Sequence, residues 1–427
     1  MQDPWNRHLT RRALLHNALT YSALGAVLWR APRLWGSAQL TAKSAPPYLL
    51  VVHCDGGWDT TMTLEDKSNA GAFATESGAT ATKGKSDIPY VDHPDRPSVK
   101  IFFDTYGDGA LIVNGLYSKT LTHEEGALFS SSSFHESEQQ YIDWLTYYAS
   151  QVAPTKGVPH LVIEAPYQPG PYARYAYKMP ADWFTTAPTP VLNGDKALSP
   201  DEESALTTYL TRTYQTAVNT HAETTDLHKL HALLGGFTQS PAIQKELATF
   251  SAGTENQAWV THGKFAIQSF KDGTSHCATI QAGRAGLWDT HRDHYATQST
   301  AWEMLFAGLL HILEAISQAG LLDQVILLVK SDIGRYPKLN ADKGKDHWPY
   351  TSALLWGHPI LGGTAFGSTD KNGIAHPIDP TFGGYSGSNL VTLTLEHVLA
   401  GIFTRYGIAQ TAYTDQVPPE MAQIRKT

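Results

Sequence analysis

Cysteine is nearly missing from these 427 residues: there are two, Cys54 and Cys277. Two cannot build a disulfide framework, and both sit in apolar, strand-like surroundings that suit buried thiols. Charge is sparse as well, at 17% Asp, Glu, Lys and Arg, where about a quarter is usual. The formal balance of −8 is spread along the chain without a basic block, which argues against nucleic acid as a partner. An apolar stretch near the N-terminus, about Ala18 to Trp29, falls short of the roughly 20 residues of a transmembrane span. What the chain does have is core: 42% hydrophobic and 11% aromatic residues, with 35 Gly and 24 Pro. That mix suits one large folded α/β domain of enzyme size.

The first 45 residues differ from the rest. "NRHLTRRALLHNALTYSALGAVLWRAP" carries basic residues, then the apolar stretch, then a Pro-rich exit, the order of an export signal. Thr10-Arg11-Arg12-Ala13-Leu14-Leu15 resembles a twin-arginine signal. That resemblance implies the twin-arginine translocase as a partner and delivery to the periplasm or cell envelope. Membrane contact would come only through an uncleaved signal. The alternative is an ordinary basic amphipathic helix.

From residue 46 onward the pattern is that of an α/β sheet. "YLLVVHC" (48–54) is a continuous apolar run that breaks at Asp55-Gly56-Gly57. Such runs belong to parallel strands covered on both faces. Further strands are expected at 110–116, 160–166, 278–283, 324–332 and 351–357, with helices at 137–151, 299–320 and 388–407. The expectation is a mainly parallel sheet with helices on both faces. The stretch from about 167 to 275 has weaker strand signals and is expected to be a helical insertion or cap.

Ligands in such sheets sit outside the carboxyl ends of the strands. Asp55, Asp289 and Asp332 each follow an expected strand, with Asp59, His291, Asp293, His294, Asp346 and His347 nearby in sequence. Asp, Glu and His on rigid strand ends are the usual makings of a divalent-cation site. Each has an ordinary structural explanation too. Asp289 could cap a helix near Thr290, His347 could stack on Trp348, and Asp332 could bond the turn at its strand end. Their joint placement at strand ends points to a shared site.

"GLWDTH" (286–291), "SDIGRYPKLN" (331–340) and "GKDHWP" (344–349) resemble signatures of the DUF1501 family. "VHCDGGWDTTMTL" is similar to that family's opening strand and turn, and "LTHEEGALFSSSS" to a segment that adds His123. The family in turn resembles the alkaline-phosphatase-like metalloenzymes. The resemblance implies that fold and a centre holding zinc, manganese or calcium, drawn from Asp55, Asp59, Asp289, His291, Asp332 and His347. It also implies Asp346 as the partner that fixes a histidine tautomer and His123 as a further catalytic group. Thr60 or Thr61 would supply a hydroxyl nucleophile, and Arg335 would clamp an anionic substrate. Two features depart from the active enzymes. Ile333, not histidine, follows Asp332, and no Cys/Ser-x-Pro-x-Arg motif is present. The implied activity is hydrolysis of phosphate or sulfate esters or a related anion. The alternatives are a non-catalytic exported binding protein and a structural subunit of an envelope assembly.

Overall fold

The computed structural model describes residues 45–179 and 257–411 apart from 381–383, 387 and 389, together with Thr414 and scattered positions from 184 to 250. The expected export signal and most of the expected insertion lie outside the described residues.

Eight strands form one sheet: β1 (Tyr48–Cys54), β2 (Ala110–Tyr117), β3 (His160–Ile163), β4 (Ala176–Met179), β5 (Cys277–Gln281), β6 (Val325–Ser331), β7 (Tyr350–Trp356) and β8 (Thr364–Phe366). Their spatial order is β8-β2-β7-β6-β1-β5-β3-β4. All run the same way except β7, which is antiparallel to both its neighbours. Among the described residues the named helices are α1 (Pro97–Tyr106), α2 (His123–Phe129), α3 (Trp144–Val152), α4 (Ala258–Lys271), α5 (His294–Gln318) and α6 (Leu395–Tyr406). The class is therefore a mainly parallel sheet with helices on both faces.

The alternation of β1 shows why the apolar runs are continuous. Leu50, Val52 and Cys54 join a core with α1, α4 and α5. Leu49 and Val51 join a second core with α3 and α6. A strand buried on both faces has no solvent side on which to place polar residues. Fully burying each Leu or Val contributes about 1.5–3 kcal/mol. Cys54 and Cys277 are free and buried.

β1 occupies the expected 48–54, and the other expected strands appear within a few residues of their bounds. The helix expected at 137–151 is shorter. Residues Ser132–His135 and Gln140–Asp143 form a hairpin, and α3 starts only at Trp144. Asp143 ends the strand by capping that helix, accepting from Thr146 N at 2.6 Å. α6 likewise starts at Leu395, where Thr394 and His397 form a reciprocal cap. α5 begins earlier than expected, at His294. On either side of residues 180–256, β4 joins the sheet edge and α4 packs into the first core.

The reversal of β7 matters most for the site. A parallel strand must return to the opposite edge of the sheet, usually through a helix. Residues 332–349 stay at the edge where β6 ends and make only a two-stranded ribbon, Gly334–Arg335 with His347–Trp348. β7 consequently starts where β6 stops, and the intervening excursion lies over the carboxyl rim.

Candidate metal centre

Four side chains converge on that rim: His123 from the first turn of α2, Asp289 and His291 from the segment between β5 and α5, and His347 from the ribbon. Asp289 Oδ1 lies 3.2 Å from His123 Nε2, 3.1 Å from His291 Nε2 and 3.4 Å from His347 Nε2. The His291 and His347 Nε2 atoms are 2.9 Å apart. Ligands about 2.0–2.1 Å from a tetrahedral zinc ion are separated by about 3.3–3.4 Å. His123, Asp289 and His347 therefore stand close to ligand–ligand spacing, and His291 adjoins Asp289 and His347.

Each imidazole is aimed from behind. His123 Nδ1 donates to Asp332 Oδ2 at 2.6 Å. His291 Nδ1 donates to Asp346 Oδ1 at 3.1 Å, an oxygen that Asn340 Nδ2 also holds, at 3.0 Å. His347 Nδ1 donates to the Leu121 carbonyl at 2.5 Å. With every Nδ1 bound to an oxygen acceptor, each Nε2 is left facing Asp289. This is how metal-ligating histidines are oriented. His123 Nε2 is moreover buried without a hydrogen-bond partner among the described residues. A divalent cation fits this donor set.

The turn after β1 frames the centre. Asp332 Oδ1 accepts from Gly57 N at 2.7 Å, from Gly56 N at 3.2 Å and from Ser331 Oγ at 3.0 Å. Gly56 has φ +112°, and a Cβ there would lie 2.7 Å from Asp289 N. Only glycine lets the turn sit this close to the ligand segment. Arg335 binds the turn from below, donating to the Gly57 carbonyl at 2.8 Å, to Lys345 O at 2.9 Å and to the Gly56 carbonyl. It reaches Asp289 Oδ1 at 2.6 Å.

Burial pushes the Asp289 carboxyl up, but the hydrogen bond and charge of Arg335 outweigh it and hold Asp289 at about 2. Burial pulls His123 down, and Asp332, with help from Asp289, more than reverses that. Burial lowers His347. Exposure of the side chains is graded, from 22% at His123 to 44% at His291, so the centre opens to solvent.

Several expected roles change. Asp332 is among the expected ligands, yet its oxygens already hold two amides, a hydroxyl and His123. Arg335 was expected to clamp substrate, but its side chain is buried and its donors are taken by backbone carbonyls and Asp289. Asp55 stands apart, accepting from Gly286 N at 2.6 Å.

Asp59 belongs to a separate buried cluster. Its Oδ2 accepts from Lys345 Nζ at 2.6 Å and from His294 Nε2 at 2.8 Å. Burial favours the protonated acid, but Lys345 and His294 overcome it and hold Asp59 well below the ordinary carboxylate range. Thr61 Oγ1 donates to Asp59 Oδ1 at 2.7 Å, and Thr60 Oγ1 bonds Ser352 Oγ at 3.0 Å. Neither hydroxyl bonds a member of the histidine cluster. Asp293 is the N-cap of α5, with φ 45°, and Asp289 caps nothing. Lys345, Asn340 and Gln298, whose Oε1 accepts from Asp59 N at 3.0 Å, gave no signal in the sequence, because lysine and amides in polar segments are usually solvated. Lys330, alone in the apolar run "VILLVKS", did carry a visible signal.

Residues 258–382 match the family described as "Protein of unknown function (DUF1501)". The matched segment carries Asp289, His291, Asp332, Arg335 and His347; His123 lies outside it. No curated protein matches the chain. Similar solved structures include the lipoteichoic acid synthase LtaP from Listeria monocytogenes, at 6% identity and TM-score 0.42 over 91% of this chain and 79% of that one. Another is an alkaline phosphatase superfamily protein from Vibrio parahaemolyticus, at 9% identity and TM-score 0.40 over 90% and 71%. A third is the C-terminal periplasmic domain of EptC from Escherichia coli, at 10% identity and TM-score 0.38 over 90% and 89%.

Proposed function

We propose that this chain, which carries the DUF1501 region over residues 258–382, is an exported hydrolase of phosphate or sulfate esters or a related anionic substrate. In this reading it uses one divalent cation held by His123, Asp289, His291 and His347. The observation that supports it is the convergence of three Nε2 atoms on Asp289 Oδ1 while every Nδ1 is tied to an oxygen. Three neutral imidazoles and one carboxylate around a dication leave a net positive centre, open to solvent, that attracts anions.

A bound divalent cation supplies Lewis-acid stabilisation of the charge that develops on an ester oxygen. The chain's own residues do the positioning. Asp332, Asp346 and the Leu121 carbonyl fix the three imidazole planes. Arg335 keeps Asp289 ionised and in place. Because Thr60 and Thr61 are engaged elsewhere, water is the nucleophile in this reading and no threonyl intermediate forms. Export rests on the Arg11-Arg12 segment, and changing both to lysine should trap the protein in the cytoplasm.

The second reading is a metal-binding exported protein without catalysis. It draws on Arg335, whose engaged guanidinium leaves the rim without an arginine clamp. One experiment separates the two: metal analysis of protein purified from its native export route, followed by assay on a panel of aryl phosphates and sulfates. About one equivalent of metal is expected, since the candidate ligand atoms gather around Asp289 Oδ1. Asp289→Asn and His347→Ala should each cut hydrolysis by about two orders of magnitude or more. Bound metal without hydrolysis across the panel would favour the binding reading. Absence of both would remove the metal centre from consideration.

A further inference from the structure

Asp332 also lines an open cleft whose wall includes Ser130, Lys330, Ser331, Thr351 and Ser352. We propose that Ser130 and Lys330 form a second reactive site there, in which Lys330 activates the Ser130 hydroxyl toward the acyl carbon of a carboxylic ester. This goes beyond the metal-dependent reading and uses none of the four ligands.

Lys330 is the sixth residue of β6 and is buried among strands, where an apolar side chain would be the ordinary occupant. Its Nζ lies 2.7 Å from Ser130 Oγ, 3.2 Å from Ser131 Oγ and 3.2 Å from His53 Nδ1. No carboxylate among the described residues forms an ion pair with it. Burial penalises the ammonium, and the nearby carboxylates Asp332, Asp143 and Asp55 offset only part of that penalty. Burial accordingly pulls Lys330 down to about 8, within the range that suits a general base.

The base is itself held. His53 pairs with Lys330 in the β1–β6 register. The neutral amine keeps two N–H groups, which donate to Ser131 Oγ and His53 Nδ1, so His53 carries its proton on Nε2. That Nε2 is buried with no hydrogen-bond partner and points at Asp55 Oδ1, 3.7 Å away. The sequence Ser130, Lys330, His53, Asp55 thus provides a nucleophile, a base and groups that orient the base. Ser130 and Ser131 both touch Lys330, but only half-buried Ser130 lines the cleft.

The step balances without another reactant. Neutral Lys330 takes the Ser130 hydroxyl proton as Oγ bonds the acyl carbon and the carbonyl π pair moves onto oxygen. Collapse expels the alkoxide, which recovers the proton from Nζ. Water then repeats the sequence, releasing the acid and restoring Ser130.

The test uses the full chain in excess EDTA, so that loss of the metal centre does not affect the result. Incubation with p-nitrophenyl acetate and, separately, with a fluorophosphonate probe should give one adduct, mapped by peptide mass spectrometry to Ser130. Ser130→Ala should abolish it and Ser131→Ala should retain it. Lys330→Met should slow labelling by about 10²–10⁴-fold. If that variant does not fold, Lys330→Arg keeps a long polar donor and removes the base, with the same expected loss. A folded wild type that takes no adduct, or an adduct that persists in Ser130→Ala, would overturn the proposal.

Discussion

Asp332 Oδ2 lies 2.6 Å from His123 Nδ1, joining residues 209 positions apart. The same carboxylate receives both amides of the turn after β1 through Oδ1. One buried side chain therefore fixes the turn that Arg335 braces and the direction of one imidazole of the candidate centre. Fold and site share that residue, so a change there should register in both.

Asp332→Asn keeps the shape of the side chain and removes its charge. The amide can no longer accept from the turn and from His123 together. Stability should fall by about 1–3 kcal/mol, the usual cost of a lost buried hydrogen-bond partner. Cation affinity should fall about 10–100-fold, as it does when an orienting partner is removed. Denaturation and metal titration measure the two effects separately. Unchanged affinity in a folded variant would mean that His123 does not bind the cation.

The sheet was legible because doubly buried strands leave continuous apolar runs, as at residues 48–54 and 325–331. Aspartates at strand ends were legible for the same reason, since the carboxyl rim follows from strand direction. Division of labour among them was not. Asp332 and Asp59 look alike in sequence as acids beside a strand end. Only their partners, His123 and two amides for one and Lys345 with His294 for the other, separate an orienting group from a structural ion pair. Those partners are set by register between segments hundreds of residues apart, which no local pattern encodes. The hairpin inside 137–151 was hidden because its strand, "QYID", has the same apolar spacing as the turn of a helix.

Asp59 and Lys345 are both buried and pair at 2.6 Å. Asp59→Asn would leave the ammonium without its counter-charge, at an expected cost of about 3–5 kcal/mol. Lys345→Met should cost less, because His294 can still hold the carboxylate. The double variant should be more stable than the sum of the two losses predicts, a coupling read from a double-mutant cycle in urea. Strict additivity would refute the pairing.

Two acids should act on stability in opposite directions with pH. Asp289, held at about 2, lies below the ordinary value of about 3.9. Its contribution is fully present above about pH 4 and is lost as pH falls toward 2. Asp143 is raised to about 6, chiefly by burial. Its contribution is present below about pH 4 and is lost as pH rises through 6. Asp143→Asn keeps a good helix cap and removes that ionisation. The variant should match or exceed the wild type in stability at pH 7.5 and lack the Asp143 share of the decline between pH 4 and 6. Denaturation at a series of pH values checks this; a variant with the wild-type profile would contradict it.

Metal removal should destabilise the protein, because a cation that binds only the folded state stabilises it by mass action. Zinc at about 100 times its dissociation constant should add about 2.7 kcal/mol, seen as a rise in Tm over chelated protein. The rise should shrink as pH falls from 7.5 to 5.5, since histidine ligands must be neutral to bind. It should disappear in Asp289→Asn combined with His347→Ala. It should persist in Asp55→Ala, because the Asp55 carboxylate bonds Gly286 N and lies outside the cluster. If instead the rise survives the double change and vanishes in Asp55→Ala, the cation sits at the end of β1, and the three histidines are a hydrogen-bonded group of their own.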